Sequence, residues 1–128
     1  MGDIRDLERI ARVEFADIVR SSQHIGFKLR IILANHSFID VHLSRKLPDK
    51  FGFHWECMDN SGTIYRYDNF PDQQWKLIPT FPYHFHNGEP NKVELSPFPL
   101  DVIEGFRAFM NFVREKMKDN HHSQTRSI

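Results

Sequence analysis

The stretch "HIGFKLRIILANHSFIDVHLS", residues 24–44, decides the fold because its polarity alternates from one residue to the next. Its first part carries apolar side chains at every second position and places Lys28 and Arg30 on the opposite side. Its second part repeats this pattern, with Asp40 and His42 between apolar neighbours, after the turn-forming letters "NHS". A period of two indicates half-buried strands. The stretch therefore predicts a hairpin of an antiparallel sheet.

The same period continues in "FGFHWEC", where His54 and Glu56 alternate with aromatic residues, and a further strand follows the turn signal "DNSG". We expect a three-residue loop at 60–62, because it keeps Arg66 on the polar side of the sheet. That loop pairs Glu56 with Arg66 and His54 with Asp68.

Both ends of the chain have helical periodicity. Residues 3–20 predict an amphipathic helix with Asp3 as its N-cap. A second helix is expected with Pro99 in its first turn. Its apolar stripe consists of Val102, Ile103, Phe106, Phe109, Met110, Val113 and Met117.

These elements predict a two-layer α+β domain over residues 1–118. The domain would contain an antiparallel β-meander of about four to five strands, with the N- and C-terminal helices packed on one face. Residues 119–128 are expected to form a disordered polar tail.

Composition narrows the functional classes. The 128 residues include 17 basic and 17 acidic side chains, so a uniformly basic nucleic-acid-binding surface is not indicated. The single cysteine, Cys57, cannot form an internal disulfide, and its place on the apolar side favours a core position over a nucleophile. No run is apolar enough to cross a bilayer, and the charged N-terminus does not resemble a signal peptide. A cytoplasmic protein without membrane contact is expected.

The run "RYDNFPDQQWKLIPTFPYHFHNG", residues 66–88, has no regular period and reads as a loop rich in aromatic residues and proline. On an extended stretch His84 and His86 point to one side, and Phe85 points to the other. The loop follows Asp68, so its imidazoles are expected near the polar face of the sheet. Imidazoles that titrate near neutral pH beside a carboxylate and a guanidinium favour acid–base chemistry. The candidate catalytic residues are His84, His86, Arg66, Asp68 and His54.

Other interpretations of this surface stay open. The polar face can also be a solvated, salt-bridged surface without any function. Further residues are candidates for substrate or partner binding: Tyr67, Asn69, Trp75, Tyr83, Lys28 and Arg30. A His-x-His pair with a carboxylate is a workable metal-ligand set, but the Cys/His spacing of a zinc module is missing. Neither a metal nor another cofactor is therefore expected.

The motifs "GTIYRYDN", "PTFPYHFHNG" and "NKVELS" resemble those of the TumE-type toxins of prokaryotic toxin–antitoxin modules. The resemblance covers roughly residues 11–115. It departs from the family pattern at residues 72–74, where relatives often carry histidine, and in the turn at Asn35 and His36. The resemblance implies a growth-inhibiting toxin that is neutralised by an antitoxin with a DNA-binding domain.

Small toxins of such modules are commonly ribonucleases, which is an analogy at the level of the class. The first hypothesis is therefore a toxin that acts on RNA by acid–base phosphodiester cleavage. The alternatives are a non-enzymatic protein-binding module that uses the aromatic loop 70–86, and a metal-dependent hydrolase. The partners to consider are the antitoxin, RNA and a second copy of the chain.

Overall fold

The computed structural model describes residues 3–47, 49–56, 63–89 and 92–126, with residues 120–126 described by their backbone alone. Two α-helices, a short 3₁₀ helix and seven strands are assigned in these residues. They follow in the order α1 (Ile4–Glu14), β1 (Val19–Ile25), β2 (Lys28–Leu33), β3 (Phe38–Leu43), β4 (Phe51–Glu56), β5 (Ile64–Asp68), the 3₁₀ helix (Gln73–Trp75), β6 (His84–Gly88), β7 (Val93–Leu95) and α2 (Val102–Arg126).

The strands form one antiparallel sheet in the order β1-β2-β3-β4-β5-β6-β7, so the α+β class is confirmed. The expected four to five strands are an undercount. One missed strand is β1, which begins at Val19 inside the predicted helix 3–20. The chain turns at Gly26, whose φ of 62° suits glycine, so the apolar alternation that starts at residue 25 spans two strands.

The expected register between β4 and β5 is wrong by two residues. His54 pairs with Arg66 rather than with Asp68, and Glu56 pairs with Ile64. A shift of two residues keeps every side chain on its face, so the alternating pattern cannot distinguish the two registers. Cys57 and the predicted loop 60–62 lie outside the described residues.

The apolar face of the sheet and both helices enclose the core. Phe53, Trp55 and Tyr67 are fully buried there. Most of the apolar stripe of α2 is also buried, whereas Ile103 and Met117 are partly buried. The start of α1 is fixed by a capping box in which the Asp3 side chain accepts from backbone amides and the Asp6 side chain accepts from the Asp3 amide. Both helices therefore pack on one side of the sheet, as expected, and leave the opposite side open.

Helix α2 begins at Val102, after Pro99, so the predicted place of Pro99 in its first turn is wrong. The Asp101 side chain accepts from the Glu104 amide at 2.9 Å and caps the first turn. A Cβ at Gly105 would lie 2.9 Å from the Pro99 carbonyl oxygen, so close packing explains this glycine. The helix is assigned beyond residue 118, and the boundary between domain and tail stays a prediction. Neither helix combines the length with the apolar character needed to cross a membrane, over the residues described.

Candidate active site on the polar face

Strand pairing places the polar side chains in two adjacent rows across the open face of the sheet. The first row consists of Arg30, Asp40, His54, Arg66 and His86. The second row consists of Lys28, His42, Gly52, Asp68 and His84. The His-x-His motif thus lies on a strand, β6, rather than in a loop, and Phe85 between the two histidines points into the core as expected.

A cleft of about 770 Å³ opens over these rows. Gly52 contributes no side chain at the centre of the second row, which leaves space between His42 and Asp68. The connection between β5 and β6 forms a wall along the cleft, from Phe70 to Trp75. The lining residues are Lys28, Asp40, His42, Gly52, His54, Arg66, Asp68, Phe70, Pro71, Asp72, Gln73, Trp75, His84 and His86. All five predicted catalytic residues line this one cleft: His54, Arg66, Asp68, His84 and His86.

Asp68 and His84 form a buried pair at the floor of the cleft. Nε2 of His84 lies 3.2 Å from Oδ1 of Asp68, and their side chains are 5% and 10% exposed. The same Asp68 oxygen accepts the Phe70 amide at 3.1 Å. The other ring nitrogen of His84, Nδ1, lies 3.0 Å from the carbonyl oxygen of Pro82. A carbonyl only accepts, so Nδ1 carries a proton.

The hydrogen-bond geometry requires a proton between Oδ1 of Asp68 and Nε2 of His84. With Nδ1 protonated, a neutral His84 would turn the lone pair of Nε2 toward the carboxylate, which is unfavourable unless a proton lies between the two atoms. Burial raises the pKa of Asp68, and the nearby His84 opposes that rise. A buried carboxyl–imidazole pair of this kind is a typical setting for proton transfer.

His54 lies in the first row beside Asp40 and Arg66. Its Nε2 atom is buried and has no hydrogen-bond partner among the described residues. Burial lowers the pKa of His54, and the positive charge of Arg66 lowers it further. His54 is therefore held neutral at pH 7 and adds no positive charge to the cleft.

The cations of the face differ in their partners. Asp40 binds Lys28 at 3.0 Å and Arg30 at 2.8 Å, so both predicted binding residues are already engaged. Arg30 also lies outside the lining of the cleft. Arg66, by contrast, forms no ion pair with a carboxylate in the part of the chain that is described. Arg66 is therefore the cation of the cleft that is available to an anionic ligand.

His86 completes the group of titratable side chains. Its ring centroid lies 5.1 Å from that of His84 and 6.3 Å from that of Trp75. Ligand atoms of Asp68, His84 and His86 all lie within 4.8 Å of one another, so these buried side chains could hold a metal ion. Two imidazoles and a carboxylate suit a divalent transition metal.

Comparison with known protein families identifies the chain. A family model described as Toxin TumE matches residues 3–117. The chain belongs to the TumE toxin family. A search of curated proteins finds no match. A search of solved structures likewise finds none. The matched range contains the whole cleft, so this TumE-family chain carries its candidate site inside the family region.

Two predicted binding residues of this TumE-family chain have structural roles instead. Tyr67 is fully buried, and its hydroxyl donates to the Pro99 carbonyl at 3.0 Å. Asn69 is 1% exposed; its Oδ1 accepts the Phe51 amide, and its Nδ2 donates to the Asp49 carbonyl. Tyr67 points away from the cleft because odd positions of β5 face the core.

Tyr83 is half-buried and packs against the core, with its ring centroid 6.2 Å from that of Phe51. It also lies outside the lining of the cleft, whereas Trp75 is part of it. His42, Gly52 and Gln73 are among the lining residues that were not predicted as site residues. Alternation already placed His42 on the polar face, whereas glycine in a strand gives no polarity signal.

Proposed function

We propose that this TumE-family chain is the toxin component of a toxin–antitoxin module and that it cleaves RNA in the cleft of the polar face. The observation that supports the proposal is the meeting, in one cleft, of a buried Asp68–His84 pair, a second imidazole on His86 and an available cation on Arg66. These groups supply the three functions that phosphodiester cleavage needs: a proton acceptor, a proton donor and a charge that stabilises the phosphate.

The proposed step uses the 2′-hydroxyl of RNA. His86 takes the 2′-hydroxyl proton, and O2′ forms a bond to phosphorus. The bond from phosphorus to O5′ breaks, and the Asp68–His84 pair gives its proton to the leaving oxygen. The products are a 2′,3′-cyclic phosphate and a free 5′-hydroxyl. Arg66 binds the non-bridging oxygens through its fork of N–H donors.

Family membership suggests an antitoxin as the protein partner. In the proposal this antitoxin carries a DNA-binding domain, and the pair acts in the cytoplasm. A neighbouring reading frame that encodes a helix-turn-helix protein would support the assignment. Sedimentation of the purified toxin would test whether a second copy of the chain also binds.

The test is cleavage of single-stranded RNA by the purified protein. The wild type should cleave, and the double variant His84→Ala/His86→Ala should lose both cleavage and growth inhibition. Because both side chains are buried, His84→Asn/His86→Asn is made in parallel, with circular dichroism as the check of folding. Leu77→Ala is the matched control, since Leu77 is 90% exposed and lies outside the lining of the cleft. Unchanged cleavage and toxicity in a folded double variant would overturn the proposal.

A metal-dependent hydrolase is the second candidate function, favoured by the proximity of Asp68, His84 and His86. In that case the imidazoles would bind a cation rather than move protons. Elemental analysis of the purified protein and cleavage in the presence of EDTA distinguish the two functions. A stoichiometric transition metal together with EDTA-sensitive cleavage would select the hydrolase.

A further inference from the structure

The wall of the cleft offers groups that the proposed chemistry does not use. Trp75 and Gln73 lie on the short 3₁₀ helix Gln73–Trp75 and line the same cleft as the Asp68–His84 pair. We infer that this wall is a nucleobase-binding site: the Trp75 indole stacks one unpaired base, and the Gln73 amide reads the edge of that base. The inference rests on the proposed function, because it takes RNA as the substrate, and it narrows that substrate to single-stranded RNA.

The geometry of Trp75 suits stacking. The ring planes of Trp75 and His86 meet at 88°, so His86 covers at most one face of the indole. The Trp75 side chain is half-buried, and its Nε1 donates to no acceptor among the described residues. A half-buried indole beside a phosphate-binding arginine is the combination that single-stranded nucleic-acid sites use, because every base has a face that can stack.

Gln73 is placed to discriminate between bases. Its side chain is exposed, lines the cleft, and forms no hydrogen bond to any residue in the described ranges. The amide offers both a donor and an acceptor, which match the polar edge of a base. The neighbouring Gln74 is also exposed but does not line the cleft. The chain thus provides two adjacent glutamines of which one faces the site.

The depth of the floor explains the requirement for a single strand. His84 and His86 are 4% and 8% exposed, so they can reach only a phosphodiester that enters the cleft. A base that remains paired and stacked in a helix presents no free face to the Trp75 indole, whereas an unpaired nucleotide can place its base on that ring.

Intrinsic fluorescence tests the inference directly. The chain has two tryptophans. Trp55 is fully buried on the other side of the sheet and donates to Ser37. Quenching by a ligand in the cleft therefore reports on Trp75. The probes are short 2′-O-methyl oligonucleotides of each base, which the proposed reaction cannot cleave, an abasic oligomer of the same charge, and a duplex.

We expect the single-stranded probes to quench the fluorescence and the abasic and duplex probes to leave it unchanged. Trp75→Ala lacks the reporting indole, so its affinity is measured by the fluorescence anisotropy of labelled probes. It should bind the single strands roughly 5- to 150-fold more weakly, the range for losing one base–aromatic stack. Gln73→Ala should reduce the differences in affinity between the four bases while keeping the quenching. Gln74→Ala, the matched control, should behave as the wild type.

Several results would overturn the inference. Equal quenching by the abasic oligomer would mean that charge alone drives binding. Wild-type affinity of Trp75→Ala for RNA, together with loss of antitoxin binding, would make the wall a protein-docking surface. Cleavage of RNA without base-dependent quenching would overturn the base site alone, whereas base-dependent binding without any cleavage would overturn the proposed function and keep the base site.

Discussion

Oδ1 of Asp68 lies 3.2 Å from Nε2 of His84 inside the floor of the cleft, and the opposite nitrogen of the same imidazole donates to the Pro82 carbonyl. The ring is thus held at both nitrogens, and its tautomer is fixed by a neighbouring backbone oxygen. Asp68 provides the carboxyl oxygen that faces Nε2 of His84, so the carboxyl should be as important to activity as the imidazole itself.

Asp68→Asn is therefore expected to reduce RNA cleavage by roughly 100- to 10,000-fold, the usual contribution of a positioned acid or base. The amide keeps the shape of the side chain but cannot share a proton with His84. Asp72→Asn is the matched control, because Asp72 also lines the cleft and its side-chain oxygen accepts the Gln74 amide, which asparagine can still do. A wild-type rate for Asp68→Asn would exclude Asp68 from the reaction.

Arg66→Gln should weaken RNA binding to a similar extent for all sequences, because a guanidinium that contacts phosphate reads no base. The slope of log affinity against log salt concentration should fall in magnitude by about one. Arg30→Gln provides the comparison, since Arg30 on β2 already forms an ion pair with Asp40 on the adjacent strand β3. If the Arg30 variant lost as much affinity as the Arg66 variant, the assignment of Arg66 as the available cation would be wrong.

His54 should titrate below its ordinary value of 6.5, because it is buried and lies beside Arg66. Because the pKa of His54 is lower in the folded protein, the unfolded chain binds a proton on this imidazole at a higher pH than the folded protein does. The free energy of unfolding therefore decreases as pH falls through 6.5. Arg66→Gln should raise the pKa of His54 only partly, since burial is the larger cause. NMR titration of the imidazole protons measures this, and a midpoint above 6.5 in the wild type would contradict it.

Asp40 should contribute stability that disappears in acid. Burial alone would raise its pKa, but hydrogen bonds from Arg30 and Lys28 outweigh burial and hold the pKa below the ordinary 3.8. The contribution is therefore complete above pH 3.8 and is lost as pH falls below that value, toward the folded-state pKa. Asp40→Asn should lower the free energy of unfolding at neutral pH by about 1.5–3 kcal/mol, the range for hydrogen bonds to charged groups.

The measurement is urea unfolding of the wild type and of Asp40→Asn at neutral and acidic pH. The difference between the two proteins should shrink in acid. A difference that stays constant across the pH range would show that the carboxylate charge is not the cause.

Gly52 should act as an empty space in the cleft. A Cβ at this position would lie 3.5 Å from Cβ of Asp68 and 4.0 Å from a Phe70 ring carbon, which are ordinary contacts. Gly52→Ala should therefore fold, and Gly52→Val should lose RNA binding because its methyl groups extend further into the cleft. Gly52→Ala should give a smaller loss. Full activity of the valine variant would mean that the substrate does not enter beside Asp68.

Periodicity was sufficient to predict which residues share the polar face. The positions of Asp40 and His54 follow from alternation. The geometry of an extended stretch correctly placed His84 and His86 opposite Phe85, although the segment was predicted as a loop and is strand β6. The pairing between strands was not predictable in this way. His54 opposite Arg66 and His54 opposite Asp68 satisfy the same pattern, so alternation alone does not choose between them.

The missed parts of the site have a different cause. Gly52 contributes by lacking a side chain, which no polarity pattern records. Tyr67 and Asn69 were predicted as binding residues, yet Tyr67 packs in the core and Asn69 bonds to the backbone of the 49–51 segment. No pattern in the sequence placed Gln73 at the site. Its position in the lining of the cleft follows from the 3₁₀ helix Gln73–Trp75.

The most direct test of the central claim is the identity of the RNA ends that the purified protein produces in the presence of EDTA. Wild-type protein should produce 2′,3′-cyclic phosphate and 5′-hydroxyl ends and should not cleave at a 2′-O-methyl nucleotide. Folded His84→Asn/His86→Asn should not cleave at all. Ends that carry a 5′-phosphate, or cleavage that stops when metal is removed, would contradict acid–base cleavage by the histidines of the cleft.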